Sequence, residues 1–327
     1  MKISRLSTSK KGYGGIIYEK MIDAALSSRH DYQIVSAAFS LKGIGRLLEA
    51  PAYLFKQYLF AKRTDAFLIR SFQSAFFNFK KSGLTVIYHI DSSGSSFLPR
   101  LFQDITEWVF KVVIRKSEHI VVIAEYWKQY FVDKGYSNVH LIYCGFELEK
   151  YSTSDEEVNL FLEKYSLKGK KIIYIGNPQL KKGAHLVADA LQGSEYTLIT
   201  SGVRDQSVHC LHLDLDFKSY LCLLKVSSVV VLMSQFAEGW NRIAHEALLM
   251  GTPVIGTGYG GMKEVLEGGQ QEICRDPSQL PGLIEKVISN RAYYAGNGLN
   301  FAKQFGVDRF NNDWLNLVSQ LSQEAEK

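Results

Sequence analysis

Short apolar runs alternate with amphipathic stretches along most of this 327-residue chain. Residues 2–6, 32–36, 84–90, 119–124 and 139–143 are short and rich in apolar residues. Each is bounded by small or polar residues, the pattern of buried strands. Between them, 16–26, 101–117 and 126–135 place apolar residues at helical spacing. The alternation then restarts. Strands are predicted at 171–175, 196–201, 209–213, 229–233 and 254–255, and helices at 184–191, 217–226 and 241–250. Three more helical patterns follow at 281–290, 292–303 and 308–322. Strand, helix and strand within ~30 residues is the βαβ unit of a parallel sheet. The pattern predicts an α/β chain of two Rossmann-like domains, at 1–150 and 165–305, with the polar stretch Ser152–Glu157 as linker. The last helix, 308–327, is expected to return to the first domain.

Composition adds bounds. Hydrophobic residues are 46% and charged residues 22%, ordinary for a globular enzyme. The four cysteines have no CxxC spacing, so neither a disulfide framework nor a zinc site is indicated, and a reduced cytoplasmic setting is expected. No apolar run reaches the ~18 residues of a membrane span, and the first residues lack a signal peptide's apolar core. A net charge of +5 is too mild to argue for nucleic acid, and none is expected as a partner. Residues 41–81 stand apart, with eight basic residues against two acids and many aromatics between them. Such a stretch fits a peripheral contact with an anionic membrane on its cytoplasmic face, or an acceptor surface. It also fits a buried helix pair whose lysines reach solvent, the more ordinary reading of the two.

Candidate chemistry follows the strand ends, where parallel sheets bind ligands. The richest stretch is 227–260, a strand, a loop with Glu238 and Gly239, a helix with Glu246, and a second strand opened by Pro253. Seven residues separate the two glutamates. Upstream, Lys181-Lys182-Gly183 is a cationic loop entering a helix, suited to phosphate. Asp214 and Asp216 follow another strand. In the first half, Gly12-Tyr13-Gly14-Gly15 joins a strand to a helix, where small residues let a phosphate approach backbone N–H groups. His89 and Asp91 end an apolar strand before a serine-rich loop.

The stretch FAEGWNRIAHEALLMGTPVIGT resembles the signature of family 4 retaining glycosyltransferases, in which glutamate, seven residues and glutamate precede Ala and a Gly-Thr-Pro-Val tail. Here these are Glu238, Glu246, Ala247 and Gly251 to Val254. Gly14-Gly15, His89, Val121 to Glu125, Ile142 to Phe146 and Gly176 to Gly183 match the family's other segments in order and spacing. The resemblance implies the GT-B fold, α/β with two Rossmann-like domains whose parallel sheets face across a cleft. It implies hexosyl transfer from a nucleotide-sugar donor, UDP first, to a glycan or lipid-linked acceptor in polysaccharide or glycoconjugate synthesis, with no cofactor and no metal. Glu246 would hold the ribose, Glu238 the donor sugar, and the N–H groups of Trp240, Asn241 and Arg242 the diphosphate. Lys182 would neutralise the leaving phosphate, Gly15 would close over it, and His89 would touch sugar or acceptor. Asn177, Lys181, Asp214 and Gly14 complete the expected donor-binding set.

Three departures from the family pattern stand out. Asn177 replaces an arginine, Trp240-Asn241 replaces Phe-Gly, and Cys144 replaces an asparagine. Lys181 is then a substitute cation, Trp240 a bulkier wall, and Asn241 a side-chain cap. A nucleotide-sugar epimerase or hydrolase of the same fold, and a non-catalytic accessory protein, are the alternatives.

Overall fold

The computed structural model describes residues 1–7, 14–36, 46–71, 83–90, 108, 114, 118–204 and 208–326. Residues 12–13 of the first glycine turn, Asp91 with the serines after it, and nearly all of the helix predicted at 101–117 lie outside the described residues. The chain divides into two units, Met1–Gly145 with Val307–Lys327, and Phe146–Gly306.

In the first unit, β1 (Lys2–Ser7), α1 (Gly14–Ser27), β2 (Asp31–Ser36), α2 (Arg46–Arg63), β3 (Phe67–Ser71), β4 (Gly83–Ile87), β5 (His119–Val122), α3 (Glu125–Asp133) and β6 (Val139–Leu141) follow in order. The strands form one parallel sheet, β2-β1-β3-β4-β5-β6. β3 and β4 are buried throughout, as expected of strands covered on both faces. α1 is tied to β1 by charge as well as by packing: Arg5 donates to both oxygens of Asp23 and to Glu19, at 2.6 Å each. Burial alone lowers the Arg5 pKa, but the hydrogen bond and charge of Asp23, with Glu19, outweigh it and raise it overall.

β3 corrects the reading of 41–81 as one basic surface. Its residues are fully enclosed, and Arg70 within it is 1% exposed, with its guanidinium 3.8 Å from Glu118.

The second unit carries α4 (Asp155–Lys164), β7 (Ile172–Tyr174), α5 (Ala184–Ala190), β8 (Thr197–Ser201), β9 (Leu211–Leu213), α6 (Phe217–Val226), β10 (Val229–Leu232), α7 (Arg242–Leu249), β11 (Val254–Gly256), α8 (Met262–Gly268), β12 (Glu272–Ile273), α9 (Leu280–Ser289) and α10 (Arg291–Ala302). Its parallel sheet runs β12-β11-β10-β7-β8-β9. The core packs Ile173, Val229, Val231 and Ile255 of the strands against Val187, Ile284 and Val287 of the helices.

The stretch Ser152–Glu157, expected as a linker, instead opens α4. Ser154 caps the helix by accepting from Glu157 N while Glu157 accepts from Ser154 N, a reciprocal capping box. The last helix, α11 (Val307–Glu326), belongs to the first unit. It buries Phe310, Trp314, Leu317, Val318 and Leu321, an apolar stripe at helical spacing, and its Phe310 and Trp314 meet Tyr18 of α1 edge-on.

Candidate functional site

Strand order locates the site in the second unit. From β7 the chain moves outward through β8 to β9 on one side, and then starts again at β10 on the other. The crossovers that leave adjacent β7 and β10 diverge, which makes the carboxyl ends of these strands the topological switch point of the sheet. The loop after β7 is 175–183 and the loop after β10 is 233–241. Gln235 N donates to Lys181 O at 2.9 Å, strapping the two loops together. They also touch at Gly183, where a Cβ would lie 1.9 Å from the carbonyl oxygen of Met233.

The side chains from both loops meet on Glu238, which is 6% exposed. Its Oε1 accepts from Lys182 Nζ at 2.7 Å, Ser234 Oγ at 2.5 Å and Asn241 Nδ2 at 3.4 Å. The turn after β11 holds the Glu238 backbone: Glu238 N donates to Tyr259 O, and Glu238 O accepts from Gly261 N. Lys181 and Lys182 both lie over one ring, Phe236, at 4.9 and 4.7 Å from its centre. Two cations and the amino end of α7 therefore converge on one place, a setting that favours an anion.

The start of α7 explains one departure from the family pattern. Asn241 is the N-cap and has left-handed backbone angles, φ 63° and ψ 79°. Where glycine is absent, asparagine tolerates that conformation best. Its Oδ1 also accepts from Ala244 N at 3.0 Å, so the residue meets the turn's two requirements at once. Asn177 has a comparable local role: its Oδ1 accepts from Gln179 N at 2.9 Å and shapes the loop after β7.

A second cluster surrounds Glu246, one helical stretch further on. Glu246 accepts from Tyr220 Oη at 2.9 Å, Arg242 Nη2 at 3.1 Å and Tyr151 Oη at 3.2 Å. Burial first, and then the negative charge of Glu246, push both phenol pKa values up, which keeps these hydroxyls protonated as donors. Arg242 lies over the ring of Phe146 at 4.4 Å.

Two expectations need correction. Trp240 does not wall the helix start. It is 2% exposed, packs against Phe305, and donates from Nε1 to His245 Nδ1 at 3.3 Å. That bond fixes the His245 tautomer, because its Nε2 must then carry the proton given to Ala302 O at 3.1 Å. Asp214 is not brought to either cluster. It is exposed beyond β9, the edge strand, with β8 between that strand and β7. Its neighbour Asp216 caps α6 by accepting from Ser219 N.

The first-unit candidates are described by themselves. Gly14 opens α1, and Gly15 lies under the ring of Tyr88, where a Cβ would approach Tyr88 to 3.2 Å. His89 follows Tyr88 just beyond β4 and is exposed. Tyr151 and Tyr220 were not anticipated. They reach Glu246 across 95 and 26 residues of sequence, a distance no local spacing encodes.

Comparison with known proteins adds the class. Residues 169–290, within the second unit, match the family of glycosyl transferases group 1. An uncharacterized glycosyltransferase of Methanocaldococcus jannaschii, MJ1069, is 22% identical over 280 residues, covering 76% of this chain and 69% of that protein. Among solved structures, Anabaena HepE in complex with UDP-glucose superposes with TM-score 0.78 at 19% identity, covering 98% of this chain and all of that one. Sucrose-phosphate synthase of Thermosynechococcus elongatus superposes with TM-score 0.79 at 14% identity, covering 99% of both chains. The fold is GT-B, and residues 169–290 of the second unit match the glycosyl transferases group 1, the mark of a transferase enzyme.

Proposed function

We propose that the protein is a retaining glycosyltransferase that moves a hexose-type sugar from a nucleoside diphosphate, UDP first, to a glycan or lipid-linked acceptor. The observation that carries this reading is the Lys182–Glu238 pair, 2.7 Å apart at the switch point beside the amino end of α7, with Glu246 on the same helix. The UDP-glucose held by the similar HepE supports the choice of donor.

In this reading the ribose is held at Glu246 and the sugar hydroxyls at Glu238. Lys182 and the first N–H groups of α7 take the diphosphate. A lysine ammonium has three donors, so Lys182 keeps Glu238 and still donates to phosphate. In the transfer, the bond from the anomeric carbon to the phosphate oxygen breaks. The acceptor oxygen bonds to that carbon on the same face, and its proton passes to the departing phosphate. Lys182 stabilises the charge that collects on the leaving group, the term that usually dominates such sites. Gly14, Gly15 and His89 of the first unit are assigned to phosphate and acceptor contacts, as the family resemblance implies.

We assign the enzyme to polysaccharide or glycoconjugate synthesis at the cytoplasmic face of a membrane. No helix among the described residues is long and apolar enough to cross a membrane. A peripheral contact is supported by the exposed part of α2, where Phe55 is 60% exposed beside exposed Lys56 and Lys62 lies over the Tyr58 ring.

The test is thermal shift with UDP-, GDP- and ADP-sugars, then UDP release with and without anionic vesicles, and NMR of the product anomer. A donor that binds only the native state raises the melting temperature. Lys182→Ala is expected to lower turnover about 10²-fold, and to lower the ligand-free melting temperature as well, because Glu238 loses its cation. No shift with any of the three donor classes would refute the reading.

A further inference from the structure

Glu246 is 7% exposed, and a buried carboxylate has to be held by donors. Tyr220 Oη serves Oε2, and Tyr151 Oη and Arg242 Nη2 serve Oε1. A carboxylate offers about four acceptor positions. These three donors leave about one for an incoming hydroxyl. A ribose presents two adjacent hydroxyls, so the second must be met by a group already on the carboxylate. Arg242 has no lone pair to offer, whereas a phenol that donates to Glu246 can still accept. The tyrosines are therefore the chemically competent partners. Both are half-buried, more open than Glu246 itself.

The hydroxyls are also fixed in place. Tyr151 meets Phe146 and Phe217 edge-on, each at 5.9 Å, and Tyr220 meets Tyr174 edge-on at 6.1 Å. Phe146 in turn stacks on His245 at 4.0 Å. Donors and acceptors held this way cost little to order when a ligand arrives. Tyr151 Oη already lies 3.4 Å from Arg242 Nη2, so its acceptor side is partly engaged, and Tyr220 is the more available of the two.

We propose that Tyr220 and Tyr151, together with Glu246, form a receptor for the vicinal 2′,3′-diol of a ribose, and that the tyrosine hydroxyls set the preference for ribonucleotides over deoxyribonucleotides. Tyr220 is the stronger contributor. This deepens the reading of the second-unit site as a nucleotide-sugar site and rests on it.

The test is calorimetric binding of UDP, GDP and ADP, with the 2′-deoxy and 3′-deoxy forms of the best binder. The proteins are wild type, Tyr220→Phe, Tyr151→Phe and the double variant. The wild type is expected to favour the ribonucleotide over at least one deoxy form by about tenfold or more, the scale of one hydrogen bond in a charge-linked network. Tyr220→Phe is expected to reduce that ratio several-fold, Tyr151→Phe to reduce it less, and the double variant to reduce it furthest, with the remainder carried by Glu246. A merely structural role would weaken all three nucleotide forms together and leave the ratio unmoved, and that result overturns the proposal. Equal wild-type affinity for the ribo and both deoxy forms overturns it without any variant. If the wild type binds none of UDP, GDP or ADP, the nucleotide reading fails too, which separates the two failures.

Discussion

Lys182 and Glu238 are 56 residues apart in sequence and 2.7 Å apart in space. Each was recognisable from its local setting, Lys182 in a cationic loop before a helix and Glu238 in a glutamate pair with defined spacing. Their contact was not, because it depends on two loops leaving adjacent strands in opposite directions. His245 shows the same limit. In sequence it is one position in an amphipathic helix, but in the structure it is 0% exposed between Trp240 and Ala302. Burial lowers its pKa from 6.5 to about 3, with the Ala302 hydrogen bond opposing and the charge of Arg242 assisting. A neutral buried histidine stabilises the fold above its unfolded pKa. As pH falls from 6.5 towards 3, the unfolded state takes up a proton that the native state refuses, and stability is lost. At pH 5 the loss relative to neutral pH is on the order of 2 kcal/mol. The urea midpoint is expected to fall more steeply from pH 7.5 to 5.0 in wild type than in His245→Gln. Parallel midpoints in the two proteins would remove His245 as the cause.

At the scale of elements, Gly183 joins the cationic loop to α5 and sits where no side chain fits. Its φ is 72°, and an added Cβ would lie 1.9 Å from Met233 O. Gly193 has a similar φ, 77°, with nothing within 4 Å of the same position. Alanine at Gly193 is expected to cost about 1–2 kcal/mol from the left-handed backbone alone. Alanine at Gly183 carries that cost plus the displacement of the strand-end loop, about 1–3 kcal/mol more. Equal losses in chemical denaturation would show that the contact does not bear on stability.

Most helices of the second half were legible. α6 has the bounds the pattern predicts, and α9, α10 and α11 lie within a few residues of theirs. α4 was legible in its capping box but buries only Phe161, too thin a stripe to distinguish it from a linker. β3 was hidden because Arg70 interrupts its apolar run, and burying that arginine takes neighbours supplied by β4 and the residue before β5. α8 and β12 are short and lie among glycines.

For the whole molecule, each unit has its own sheet, and the chain's last helix completes the first unit. Trp314 of α11 is 0% exposed and faces Tyr18, whose hydroxyl donates to Ile142 O at 2.8 Å. Trp314→Ala in the full chain is expected to cost about 3–5 kcal/mol, the scale of a large core truncation. Hydrogen exchange is expected to show the loss in α1 and α11, with α7 protection retained. Equal loss of protection in α7 would contradict the division into units with separate cores.

The amino-acid sequence by itself determined the α/β alternation, the double set of strands and the glutamate pair that points to a glycosyltransferase. Those signals are local: periodicity is read within one element, and the motif lies within one βαβ unit. Only the tertiary structure decided that β7 and β10 make the switch point, that Lys182 meets Glu238, that Trp240 turns inward, and that two tyrosines stand on Glu246. Hydrogen bonds and burial depend on neighbours in space, and those neighbours come from strand order, which periodicity along the chain does not specify.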